Sequence, residues 1–155
     1  MRDAARERLD AAIREVEDRM ARSGFHRWAQ LSLVRVDDGE VEVLLDAQEH
    51  HLNLLGTLHG GMIATLADTA MGLAVRTRHE PATTHVTGSL TVNYLSPGRA
   101  GPVRAIGRAV KAGRQMGYGE ADVLDDAGHL LARASATFIV LRARPEREGT
   151  APPGA

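Results

Sequence analysis

The chain contains no cysteine among its 155 residues. This absence excludes disulfide bonds, thiolate metal sites and a cysteine nucleophile, and it is compatible with a reducing compartment. Aromatic residues make up only 3% of the sequence, so aliphatic side chains, alanine and methionine must build the core. A chain of this length is enough for one domain with a substantial core.

Excess charge and long apolar runs are also absent. The formal net charge of −1 is too small to attract nucleic acid or an anionic membrane. No run of about 18 apolar residues occurs, so we expect no membrane-spanning segment. The N-terminal segment is charged throughout and lacks the apolar centre of a signal peptide, which together with the missing cysteines predicts a cytoplasmic protein.

The spacing of apolar residues defines the first elements. A single apolar stripe predicts an N-terminal helix over about 2–22, ended by Ser23-Gly24. Strand-like segments on both sides of Asp37-Asp38-Gly39 predict a β-hairpin. A second helix over about 60–78 has no clear polar face, and we therefore expect it to be buried.

The second half of the chain predicts further strands. Their expected ranges are 85–95, 102–112, 115–125 and 130–141, each bounded by turn residues. The whole order predicts an α+β fold in one domain over 1–141, with a curved antiparallel sheet around the central helix. We expect the tail 142–155 to be disordered and the long sheet edges to pair with another chain.

A pair of glycines begins the central helix, and one acid lies inside it. Backbone N–H groups at a helix start lack internal partners, so Gly60 and Gly61 could form an oxyanion hole for a carbonyl. Tight packing of the helix on the sheet is the alternative explanation. Asp68 lies roughly 12 Å farther along the axis, at 1.5 Å per residue, and cannot reach that carbonyl. Two antiparallel helices in a twofold dimer would bring each acid to the other glycine pair.

Small and polar residues accompany the acid along one helix face. Gly61, Thr65, Asp68 and Gly72 recur at helical spacing and could receive a partner helix or a ligand. Burial would raise the pKa of Asp68, and a donor such as Thr65 or Thr69 would lower it. A structural acid bonded to a nearby strand is the alternative interpretation.

Two other kinds of chemistry are not supported. The spacing of His50, His51 and His59 matches no common metal-ligand pattern, so we expect no metal. Ser96 lies in Leu-Ser-Pro-Gly rather than the G-x-S-x-G of a serine hydrolase.

The run from Asn53 through His59-Gly60-Gly61 to Leu66-Ala67-Asp68-Thr69-Ala70 resembles a known family. It is similar to hotdog-fold acyl-CoA thioesterases of the phenylacetate-pathway and 4-hydroxybenzoyl-CoA thioesterase type. The likeness continues through VTGSLTVNYLSPG and the strands that follow, covering roughly 40–141. It implies a homodimer or a tetramer of dimers that hydrolyses acyl-CoA without a separate cofactor.

The resemblance also implies roles for individual residues. Asp68 matches the catalytic carboxylate, acting as general base or nucleophile, and Gly60 matches the N–H that polarises the thioester carbonyl. Asn53 and His59 match side chains near the water and the thioester, and Thr87 matches a residue that orients water. Gly113 and Arg114 match the turn near coenzyme A. From their place on the central helix rather than from the resemblance, Gly61, Thr65 and Thr69 are candidate substrate-binding residues. A non-catalytic acyl-CoA-binding module and a hotdog hydratase or dehydratase remain alternatives, and the acyl group stays open.

Overall fold

The structure is a computed structural model that describes residues 2–80 and 83–141; the predicted disordered tail lies outside these residues. Its elements are α1 (Arg2–Arg22), α2 (Gly24–Trp28), β1 (Leu31–Asp37), β2 (Glu40–Ala47), a 3₁₀ turn (Glu49–His51), α3 (Gly60–Thr77), β3 (Thr84–Tyr94), β4 (Gly101–Ala112), β5 (Met116–Asp125) and β6 (Leu130–Leu141).

The predicted helices and strands are confirmed, with ends that shift by one residue at most. α3 ends at Thr77 rather than residue 78, and β3 begins one residue earlier than expected. The short helix α2 was not predicted. The Ser23 side chain accepts a hydrogen bond from the His26 N–H at 3.3 Å and so restarts the helix after α1 has ended.

The six strands form one antiparallel sheet in the order β1-β2-β4-β5-β6-β3. α3 lies against one face of the sheet and contacts all six strands. The expected α+β arrangement of a sheet around one central helix is therefore confirmed. No helix in the described part of the chain combines the length and hydrophobicity needed to cross a membrane.

Two strand glycines allow α3 to approach the sheet closely. A Cβ atom on Gly107 would lie 2.3 Å from a backbone carbon of Ala70, and one on Gly117 would lie 2.4 Å from Val75. Side chains at these positions would push the helix off the sheet. The core around this contact is made of aliphatic residues and alanine, and Phe138 is the one phenylalanine, tyrosine or tryptophan that is fully buried in the described part of the chain.

β3 is an edge strand that pairs only with β6 among the described residues. Most of its 11 residues are exposed, including Val86, Leu90 and Tyr94. The neighbouring face of α3 is also only partly buried, at Thr65, Asp68 and other small residues. An unpaired edge and a small-residue helix face therefore lie side by side on the surface of one chain.

Candidate active site

The first turn of α3 leaves one backbone donor free. His59 caps the helix: its Nδ1 accepts the N–H of Gly61 at 2.9 Å, and its carbonyl oxygen accepts the N–H groups of Met62 and Ile63. The Gly60 N–H has no acceptor among the residues that the structure describes. It points out of a helix N-terminus, where the helix dipole favours negative charge.

The capping hydrogen bond determines which tautomer the neutral His59 ring adopts. Because Nδ1 accepts a hydrogen bond, the neutral imidazole carries its proton on Nε2. A Cβ atom on Gly61 would lie 2.9 Å from Nδ1, so a side chain at this position would displace the His59 ring from the cap. The Gly61 N–H already donates to His59, so this residue could contact a substrate only by van der Waals packing and not through its N–H.

Tyr94, at the end of β3, covers the other side of the helix start. Its hydroxyl donates to the Gly60 carbonyl oxygen at 2.8 Å, and its ring would lie 3.3 Å from a Cβ atom at Gly60. A cavity of about 380 Å³ opens here, bordered by Asn53, Gly60, Ile63 and Tyr94 among others. Sequence reasoning did not single out Tyr94, because this contact joins residues 34 positions apart.

Asn53 borders the same cavity and also holds its loop together. Its Oδ1 accepts the N–H groups of Leu55 and Thr57, and its Nδ2 donates to Oγ1 of Thr57 at 2.8 Å. One of the two Nδ2 hydrogens is left for water or substrate. The residue therefore has a structural role that the sequence-based prediction did not include.

Asp68 lies two turns farther along α3 and pairs with Thr87 of β3. The Thr87 hydroxyl lies 2.9 Å from one carboxylate oxygen and 3.2 Å from the other. Burial raises the pKa of Asp68, and the Thr87 hydrogen bond lowers it by a smaller amount. The expectation that Thr65 or Thr69 would supply this donor is wrong, since the hydrogen bond comes from the adjacent strand.

A β-bulge at Gly88 aims Thr87 at the helix. Thr87 pairs with Phe138 and Leu90 pairs with Ala136, so one extra residue of β3 is inserted between these pairs. Directly opposed residues share a sheet face, and both Phe138 and Ala136 are buried in the core. Side chains alternate between the two faces of a regular strand, so without the bulge Thr87 would point to the face opposite that of Leu90. The extra residue puts Thr87 on the same face as Leu90, toward α3.

A second cavity, of about 370 Å³, opens beside Asp68. Thr69, Gly72 and Leu73 of α3 border it together with Thr87 and, at the start of β3, His85. Burial and nearby positive charges lower the pKa of His85 to about 4, so this imidazole is neutral at physiological pH. Thr69 thus lies beside Asp68, whereas Thr65 borders a different cavity with His59 and Gly61.

The predicted coenzyme A contacts lie apart from both cavities. Gly113 and Arg114 occupy the turn between β4 and β5, and Arg114 is exposed. The Gly113 carbonyl oxygen lies 3.2 Å from Nε2 of His79, and its N–H donates to Met116. The structure therefore explains the local turn but brings neither residue to Asp68 within one chain.

Arg76 is a charged residue near Asp68 that the sequence-based reasoning passed over. It is 2% exposed and forms an ion pair with Glu15 of α1. Asp68 and Arg76 are the two charged residues of α3, eight positions apart in an otherwise uncharged helix. That pattern was visible in the sequence and could have identified Arg76 as a second residue to explain.

The chain matches the model of the thioesterase superfamily over residues 55–132. It is 31% identical over 135 residues to human acyl-coenzyme A thioesterase 13, covering 83% of this chain and 94% of the relative. The chain belongs to the thioesterase superfamily, and the expected enzyme class is confirmed: it is a thioesterase.

Solved structures agree with this assignment. A conserved protein from Pseudomonas aeruginosa is 34% identical, with a TM-score of 0.73 over 77% of this chain and 94% of that one. The E. coli PaaI protein from the phenylacetic acid degradation operon is 20% identical, with a TM-score of 0.79 over 86% and 95%. The hotdog fold expected from the sequence is confirmed.

Proposed function

We propose that this thioesterase hydrolyses acyl-CoA to a free acid and coenzyme A, at sites shared between two copies of the chain. The hydrogen bond between Asp68 and Thr87 is the observation that carries the proposal. It fixes a half-buried carboxylate of raised pKa at the mouth of a cavity, as a general base requires. The name of the human relative supports coenzyme A as the leaving group.

The proposed chemistry needs a base and an oxyanion donor. The thioester carbonyl oxygen accepts the Gly60 N–H of one copy, with the Nε2–H of His59 beside it. Asp68 of the second copy removes a proton from water as the oxygen bonds to the carbonyl carbon, or attacks that carbon directly. On the general-base route the carbon–sulfur bond then breaks, and protonated Asp68 returns its proton to the leaving thiolate. On the direct route the thiolate leaves as an acyl–aspartyl anhydride forms and takes its proton from solvent, and water then hydrolyses the anhydride to the free acid and the Asp68 carboxylate.

The single chain supports a shared site because it separates these groups. Gly60 and Asp68 border different cavities and lie roughly 12 Å apart along α3, at 1.5 Å per residue. The partly buried face of α3 and the open edge of β3 form a continuous surface around Asp68. A twofold dimer through this surface, alone or within a tetramer, would place each Asp68 near the other Gly60.

The roles of the remaining residues follow from the same arrangement. Thr87 orients Asp68 and the attacking water, and Asn53 contributes its free amide hydrogen near the acyl group. Gly61 and Thr65 border the thioester on one copy, and Thr69 borders it on the other. Arg114 and the Gly113 turn would meet the phosphates of coenzyme A at the surface, where arginine is well suited to bind phosphate.

The test is a set of acyl-CoA thioesters assayed by release of free thiol, with wild type and Asp68→Asn. We expect the variant to fold and its turnover rate to fall by a factor of about 10² or more, as is usual when a general base is removed. Asp126→Asn, at an exposed position in the β5–β6 turn, is the matched control and should keep full activity. Saturable binding without hydrolysis by wild type would instead favour a binding module, and a change in enoyl absorbance would favour a hydratase.

A further inference from the structure

The cavity beside Asp68 ends at a cluster of charged residues, here called the arginine cluster: Glu15 and Arg19 of α1, and Arg76 of α3. The cavity is bordered directly by both arginines. Glu15 is paired with each of them through different oxygens, at 2.8 Å to Arg19 and in a close ion pair with Arg76. Within the described residues, one carboxylate therefore serves two guanidinium groups.

The arginine cluster carries one more positive charge than negative charge. Arg76 donates from Nη1 to the Glu80 carbonyl oxygen at 3.0 Å, and its Nε has no acceptor among the described residues although it is buried. His85, the nearest titratable side chain on β3, adds no charge because burial keeps its ring neutral. A buried donor with no partner is costly, so an acceptor supplied by a ligand would stabilise this end of the cavity.

The cavity between Asp68 and Arg76 suits a methylene chain. Gly72 lies midway on the same helix face and contributes no side chain, and Leu73, Val86 and Phe138 provide apolar walls. The two ends are separated by eight residues, or roughly 12 Å of helix. An extended eight-carbon acyl group spans about 9 Å, from bonds of about 1.5 Å, and its end would come within reach of the arginine side chains.

We propose that the preferred acyl group carries a second carboxylate at its far end, which binds the arginine cluster while the thioester lies at Asp68. The substrate class is thus the coenzyme A monothioesters of linear dicarboxylic acids. Asp68 repels the distal carboxylate and the arginines attract it, so the chain is oriented in one direction. This inference rests on the proposed thioester hydrolysis and adds the identity of the acyl group.

The experiment compares matched substrates of equal length that differ only at the far end. The pairs are succinyl-CoA with butyryl-CoA, adipyl-CoA with hexanoyl-CoA, and suberyl-CoA with octanoyl-CoA. We expect kcat/KM for suberyl-CoA to exceed that for octanoyl-CoA by about tenfold or more, the usual value of one charge-assisted contact. The preference should be smallest for the four-carbon pair, whose carboxylate falls short of the cluster.

Variants test whether the arginine cluster causes the preference. Arg19→Gln removes the excess charge at a half-exposed position and should abolish most of the preference while octanoyl-CoA hydrolysis continues. Arg76→Met should do the same, with its folding checked by thermal unfolding. The matched control is Arg22→Gln, which also removes an arginine from α1 but one that is paired with Asp18 and well exposed.

The outcomes separate this inference from the proposed function. If kcat/KM of wild type for octanoyl-CoA equals that for suberyl-CoA, the substrate assignment is overturned and the thioesterase proposal stands. The assignment also fails if Arg22→Gln lowers the preference as much as Arg19→Gln, because a general charge effect would then explain it. If no acyl-CoA of either kind is hydrolysed, the proposed function itself fails.

Discussion

Thr87 Oγ1 lies 2.9 Å from one carboxylate oxygen of Asp68 and 3.2 Å from the other, joining the edge strand to the central helix. This contact opposes the effect of burial on the Asp68 pKa, yet burial remains the larger influence and the pKa stays raised. A carboxylate with a raised pKa is a stronger base than a solvated one.

Removing the Thr87 hydroxyl should shift the pH dependence of the reaction. Thr87→Val deletes the donor that stabilises ionised Asp68, so the pKa rises and the acid limb of kcat/KM moves to higher pH. At neutral pH we expect kcat/KM to fall about tenfold, which is typical of the loss of a hydrogen bond to a charged group. Thr87→Ser keeps the donor and should restore the wild-type profile. An acid limb that stays in place in Thr87→Val would remove Thr87 from the mechanism.

Ionised Asp68 should lower the free energy of unfolding of the protein. Its pKa is raised by folding, so the folded state binds the proton more tightly than the unfolded state. The penalty is absent below the unfolded pKa and fully present above the folded pKa. Asp68→Asn should therefore raise Tm at neutral pH, and the gain should shrink as the pH falls through the raised pKa of folded Asp68 and vanish below the ordinary range of an aspartate. A variant less stable than wild type at pH 7 would show that ionised Asp68 stabilises the fold.

Proline at position 60 should remove the oxyanion donor with little damage to the helix. Proline is favoured at the first helical position, and His59 already has the extended φ and ψ of −61° and 133° that a following proline requires. Gly60→Pro deletes the free N–H and should lower kcat by about 10²–10³. Gly60→Ala keeps the N–H beside Tyr94 and is the control, with a much smaller loss expected. Equal losses in the two variants would assign the effect to crowding by the new side chain.

Local patterns in the sequence were sufficient for most of the secondary structure. Asp37-Asp38-Gly39 marked the first hairpin, and the glycine pair marked the start of α3. The short helix α2 was missed because one turn of helix has too little periodicity to detect, although Ser23 is a typical capping residue.

Contacts distant in sequence set the limit of what could be predicted for the site. Asp68 was identified as an acid in an apolar helix, but its bond to Thr87 depends on the bulge at Gly88 and on where β3 lies in the sheet. The residues alone suggested threonines on the same helix as donors, since helical spacing is the one proximity that a sequence states directly. The pairing of Arg76 with Glu15 spans 61 positions and follows from tertiary packing.

The central claim is that each active site combines Asp68 of one copy with Gly60 of another. Coexpression of Asp68→Asn and Gly60→Pro chains with different tags tests it, because a mixed dimer holds one site with both groups intact. Random pairing makes half of the dimers mixed, so two variants that are inactive alone should together recover about a quarter of wild-type activity. Isolated mixed dimers should show about half. Mixed dimers that form but remain inactive would contradict the account and place both groups in one chain.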